Sequence, residues 1–80
     1  MKIAISLKEN EIVLNSILHT LELKGFETSR SSSMYTIWIY KLQDVYFGGN
    51  ALQITKEKDF TNFRIDIWDI EYFEVHKEEN

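Results

Sequence analysis

The chain has 80 residues, a formal charge of -4, and neither cysteine nor proline. That length permits one hydrophobic core, near the lower size at which a domain folds unaided, and the missing cysteines exclude disulfides and thiolate metal sites. The first apolar run is broken by Lys8 and Glu9, far short of a signal h-region or membrane span. A complete single domain over residues 1–80, beginning at its initiating Met and working in a reducing cytoplasm without a membrane partner, is therefore expected.

Ile3, Ile5 and Leu7 alternate with Lys2, Ala4 and Ser6, the period-two pattern of a half-buried strand. Ser6 and Glu9 then have the spacing of a capping box, which predicts a helix directly after the strand. Over residues 9–24, Val13, Leu14, Ile17, Leu18 and Leu21 fall on one face at helical spacing. Burying those five aliphatics is worth on the order of 7–15 kcal/mol before conformational entropy is subtracted. Gly25 suits the left-handed position that ends a helix, with Phe26 closing the motif. Ile12, Ser16, His19 and Leu23 lie off the core face.

Residues 27–33 are polar and serine-rich, centred on Arg30, and predict a connecting loop. Residues 34–42 are β-branched and aromatic, which predicts a strand with Tyr35, Ile37 and Ile39 on one side and Met34, Thr36, Trp38, Tyr40 and Leu42 on the other. A tight connection at Gln43 and Asp44 leads to strand character at residues 45–47. Gly48, Gly49 and Asn50 mark a bulge or a turn. Leu52 and Ile54 supply the core from the next strand, and residues 56–59 form a charged turn. In the last segment Phe63, Ile65 and Ile67 alternate with Arg64, Asp66 and Trp68. The phase slips near Asp69, so that either a bulge or a new element follows, and residues 76–80 form a fraying acidic tail. The predicted class is α+β, with one amphipathic helix on one face of a mainly antiparallel sheet of about four strands, in the order β-α-β-β-β. Many unrelated proteins share that layout, and it does not establish a function.

Catalytic machinery is hard to assemble from this composition, and no enzyme activity or cofactor is expected. The histidines are His19 and His76, and two imidazoles without a cysteine make a weak case for a metal site; His76 stands near Glu74, Glu78 and Glu79. Ser29 and the serines at 31–33 lack a nucleophile elbow or an evident base. The carboxylate pairs Asp66 with Asp69 and Glu71 with Glu74 read as solvated charge.

Charge and aromatic placement say more. Residues 1–40 balance four basic against four acidic side chains, while residues 41–80 hold five against nine. A basic stripe for duplex nucleic acid is therefore missing. If the helix covers the side of Ile37, Ile39, Ile65 and Ile67, then Trp38, Tyr40 and Trp68 point away from it and no second helix is signed to cover them. Three such aromatics with Met34 expose an apolar patch of roughly 400 Å² or more.

The expected binding surface comprises Trp38, Tyr40, Arg64, Asp66, Trp68, Asp69, Glu71, Tyr72 and Glu74. Its expected use is the non-catalytic recognition of a protein partner, in the manner of an inhibitor, immunity or anti-defence protein that blocks a basic, nucleic-acid-binding site. Small size and composition suggest a virus or other mobile element as the source. A homodimer burying the same face is the first alternative. A single-stranded nucleic-acid module using Arg64 beside aromatics is the second, opposed by the repulsion of four carboxylates toward phosphate.

Overall fold

A computed structural model describes residues 1–31 and 35–77. Met34 and the Glu78 and Glu79 end of the expected tail lie outside the described residues. The elements are β1 (Lys2–Leu7), α1 (Glu11–Leu23), β2 (Glu27–Arg30), β3 (Thr36–Tyr40), β4 (Leu42–Gly48), β5 (Ala51–Lys56), β6 (Asn62–Asp66), a 3₁₀ turn (Ile67–Asp69) and β7 (Ile70–His76). The class is α+β, but the strands form two antiparallel sheets in place of the expected single sheet of about four strands. One sheet has the order β2-β3-β1-β7 and the other β4-β5-β6.

The helix begins at Glu11, four residues later than a cap at Ser6 would place it, because Asn10 takes the capping role. Its Oδ1 accepts the backbone N–H groups of Ile12 and Val13 at 3.1 and 3.2 Å. Ser6 remains within β1, where its hydroxyl pairs with Thr36 Oγ1 at 2.9 Å. The C-terminal end follows the sequence expectation. Gly25 adopts φ 81°, its N–H donates to Glu22 O, and the Phe26 N–H reaches back to Leu21 O at 2.9 Å. That 6→1 bond, with Phe26 and Leu21 both buried, makes a Schellman ending.

Residues 27–30, expected as loop, form the edge strand β2. Their side chains are polar because they are largely exposed, while the backbone alone makes the ladder, with Glu27 opposite Tyr40 and Arg30 opposite Ile37. The break after β3 falls at Lys41 rather than at Gln43 and Asp44. Lys41 sits in the left-handed region, with φ 55°, and swings the chain out of the first sheet into the second. The Leu42 N–H donates to Met1 O at 2.8 Å and the Met1 ammonium to Leu42 O at 3.0 Å, which fastens this corner to the start of β1. Gly49 and Asn50 form the two-residue turn between β4 and β5, with Gly49 at φ 61°. The phase slip near Asp69 is a change of sheet. β6 pairs with β5, the 3₁₀ turn intervenes, and β7 pairs with β1. His76, expected in the fraying tail, closes β7 opposite Lys2.

One cluster fills the space between these layers. Ile3, Ile5, Ile37 and Ile39 from the first sheet meet Leu14 and Leu21 from α1 and Leu52, Ile54 and Ile65 from the second sheet. Ile65 thus faces Ile37 and Ile39 from the opposite layer instead of lying beside them, and Ile67 belongs to the 3₁₀ turn. Both α1 and the second sheet cover the inner face of the first, and Ile12 and Leu23 stay exposed on the outside of the helix.

Lys56 ties the second sheet to the end of α1. Its ammonium donates to Lys24 O at 3.0 Å, pairs with Asp59 Oδ2 at 3.0 Å and lies 5.7 Å from the centroid of the Phe26 ring. The bond from Lys56, with the Thr61 N–H donating to Oδ1, holds the Asp59 carboxyl down at about 2 against an ordinary 3.8. A carboxyl depressed on folding stabilises the fold fully above its unfolded value, and that contribution disappears as pH falls through the folded value. The urea midpoint of the wild type is therefore expected to fall between about pH 4 and pH 2. It should fall less steeply there in Asp59→Asn, and equal slopes would remove Asp59 from the acid transition.

Candidate functional site

The outer face of the first sheet is fixed by register. Ala4 lies opposite Trp38 on one side and Glu74 on the other; Lys2 lies opposite His76, Ser6 opposite Thr36 and Tyr72, Trp38 opposite Ser29, and Tyr40 opposite Glu27. Directly opposed residues share a face. Since Ile3, Ile5, Ile37 and Ile39 point into the core, Trp38, Tyr40, Tyr72, Glu74 and His76 point outward together. Among the described residues no helix or strand packs on this side.

These groups bind one another laterally. Trp38 and Tyr40 stack with ring centroids 6.4 Å apart, the His76 ring lies 5.1 Å from Trp38, and the Lys2 ammonium sits 5.3 Å from the indole centroid. Glu74 accepts from the Tyr72 hydroxyl at 2.9 Å and stands 2.9 Å from His76 Nε2. The Glu74 carboxylate beside it raises the Tyr72 phenol above its ordinary 10. Trp38 and Tyr40 are half-buried by these neighbours, so the face is ordered and remains open to solvent.

Trp68 occupies the 3₁₀ turn that leads into β7. Asp66 accepts the Trp68 N–H on Oδ1 at 2.9 Å and so caps that turn, while the indole stands 71 % exposed. A large aromatic held in water on a pinned turn forfeits the burial that usually places it inside. Asp69 lies in the same turn, and its carbonyl accepts the Lys8 N–H at 3.0 Å. Glu71 follows at the start of β7, beside the register shift between Ser6 and Leu7, and is exposed.

The nine residues expected to form one surface are thus divided. Trp38, Tyr40, Tyr72 and Glu74 share the outer face of the first sheet, and Trp68, Asp69 and Glu71 lie at the approach to its β7 side. Arg64 belongs to the outer face of the second sheet, opposite Gln53, and Asp66 stands at the end of the same strand opposite Ala51. Arg64 is not beside Trp38, because the strand carrying it pairs with β5 and not with β3. Period-two alternation gives the inward or outward sense of Arg64 without giving its sheet. No family model, curated protein or solved structure matches this chain.

Lys2 and His76 join the open face although the sequence reading assigned them no part in it. Lys2 has the same parity as Ala4 and Ser6, and that alternation was the available signal. Phe47, also unassigned, does not join that face: it lies on β4 opposite the buried Leu52, partly exposed, with its ring 5.1 Å from Phe73.

A cleft of about 520 Å³ lies beside Gly25, Tyr40, Lys41 and Lys56, where Lys41 pairs with Glu27 at 3.2 Å and Lys56 with Asp59. The Ser29 hydroxyl pairs with the Tyr40 hydroxyl at 2.7 Å, in place of a general base. Among the described residues no group of three His, Asp or Glu is placed to hold a metal ion, and no helix is long and apolar enough to cross a membrane.

Proposed function

We propose that this chain is a non-catalytic protein-binding domain of the inhibitor, immunity or anti-defence kind, which sets an acidic and aromatic surface against a basic site on a partner. The observation that carries this reading is the exposed Trp68, held on a capped turn and flanked in the chain by Asp66, Asp69 and Glu71. An aromatic anchor inside an acidic rim divides the work of recognition. The indole supplies binding energy when a partner desolvates it, and the carboxylates steer a basic partner and set its orientation. The uncovered face of Trp38, Tyr40, Tyr72 and Glu74 extends the available surface. A single-stranded nucleic-acid role has less support, because Arg64 lies on the other sheet and carboxylates flank the exposed indole in the chain.

The test is affinity capture from host lysate, comparing the wild type with Trp38→Ala/Trp68→Ala at low and high salt. A partner retained by the wild type, lost at high salt and lost from a double variant with native far-ultraviolet circular dichroism is the expected result. A captured set identical for the two proteins would end this reading.

A homodimer remains the second reading, favoured by one observation: the open face carries Lys2 and Lys41 as well as Glu27 and Glu74, so two copies can meet with opposite charges opposed. Sedimentation showing a tight, salt-resistant dimer would favour it.

A further inference from the structure

We propose that the free edge of β7 accepts an extended basic segment of the partner as a fifth strand of the first sheet. The proposal rests on the protein-binding reading above and names the form of what is bound.

The direction of the backbone groups follows from the ladder. Leu7 N–H donates to Tyr35 O, and Met1 O accepts from Leu42, so the odd residues of β1 turn their hydrogen-bonding groups away from β7. The even residues Lys2, Ala4 and Ser6 therefore bond to His76, Glu74 and Tyr72. Alternation along β7 then turns the N–H and C=O of Phe73 and Val75 outward, where no strand among the described residues pairs with them. Unpaired groups in such a row are a template for another chain.

The two edges of this sheet differ. The β2 edge is four residues long, and its Arg30 is held by Glu11 of α1 at 3.4 Å. The β7 edge is seven residues long and has neither proline nor lysine to blunt it. Beside it lies a shallow, mainly apolar cleft of about 360 Å³ lined by Phe47, Ile67, Ile70 and Phe73, with Glu71 and Tyr72 at its β7 side.

Charge selects the occupant. An added strand that bonds to Phe73 and Val75 places the side chains opposite them on the inner side, over the apolar cleft. Its alternate side chains fall on the outer side, beside Tyr72 and Glu74. Apolar residues alternating with lysine or arginine satisfy both sides, with Asp69, Glu71 and Glu74 supplying the opposite charge. A second copy of β7 brings Glu71 and Glu74 against the same carboxylates, and like charges brought together in a ladder oppose that pairing.

A fluorescein-labelled heptapeptide of alternating lysine and valine, blocked at both ends, is the probe, with binding read by anisotropy and by amide hydrogen exchange. Its valine amides are those that face β7. Methylating them, or replacing lysine by glutamate, is expected to weaken binding at least about tenfold. Exchange at Phe73 and Val75 should slow by a similar factor, while Tyr72 and Glu74, already bonded to β1, change little. Val75→Pro removes an outward N–H without touching the β1 ladder and should weaken binding as methylation does.

Absence of binding, or equal binding of the methylated peptide, overturns the proposal. So does protection that falls on the Trp38 face alone, or protection of Phe73 and Val75 that grows with protein concentration without peptide. The tryptophan capture comparison is independent of these outcomes, so failure at the edge and failure of the protein-binding reading are told apart.

Discussion

Ile39→Ala is expected to lower the stability of this protein by about 2–5 kcal/mol, a large share of what a chain this small has. Ile39 is fully buried, opposite Ile3 in β1 and Thr28 in β2, and belongs to the cluster that α1 and the second sheet both pack against. Truncation there leaves a cavity bounded by sheet backbone on one side, which can collapse only slightly, so the cost belongs toward the upper part of that range. A chain of this length has about 4–12 kcal/mol in all, at roughly 0.05–0.15 per residue. Urea unfolding gives the comparison, with a lowered midpoint and an unchanged slope expected. Ile12→Ala is the control, since Ile12 is 82 % exposed and its loss should move stability by less than about 0.5 kcal/mol. A similar loss from both variants would mean that the cluster around Ile39 is not the centre of the fold.

The same residues show what could be read from the sequence. Ile3, Ile5, Ile37, Ile39, Leu52, Ile54 and Ile65 were all legible as inward-facing, because a strand half in water must alternate. The end of α1 was legible from Gly25 and Phe26, since few other residues accept the left-handed position. The start was misplaced because Ser6 and Asn10 both offer a capping oxygen, and pairing of the Ser6 hydroxyl with Thr36 across the sheet decides between them. β2 was hidden because an exposed edge strand needs no apolar side chains. The division into two sheets depends on Lys41, a non-glycine residue at φ 55° for which the sequence has no signal. Once that corner is missed, the phase slip near Asp69 leaves a bulge and a new element both open, when it is the passage from β6 in one sheet to β7 in the other. The outward sense of Trp38 and Trp68 survived this error, and the grouping of Arg64 with Trp38 did not.

Trp68→Ala is expected to weaken a captured partner by about 30- to 700-fold, the equivalent of about 2–4 kcal/mol for an aromatic anchor at 1.4 per tenfold. Stability should change by less than about 0.5 kcal/mol, because the 71 % exposed indole makes little of the core and the Asp66 bond to the Trp68 N–H is a backbone bond that alanine keeps. Trp38→Ala should divide its effect differently. The indole stacks with Tyr40, His76 and Lys2, so its loss removes packing within the sheet face and costs about 1–3 kcal/mol of stability. Urea midpoints and partner dissociation constants measured on both variants separate the two roles. If affinity falls with Trp38 and stays within twofold for Trp68, recognition runs across the open sheet and the exposed turn is not its anchor. If both variants lose affinity while only Trp38→Ala loses stability, the partner spans the turn and the sheet face together, and its footprint must cross the β7 side where Tyr72 and Glu74 stand.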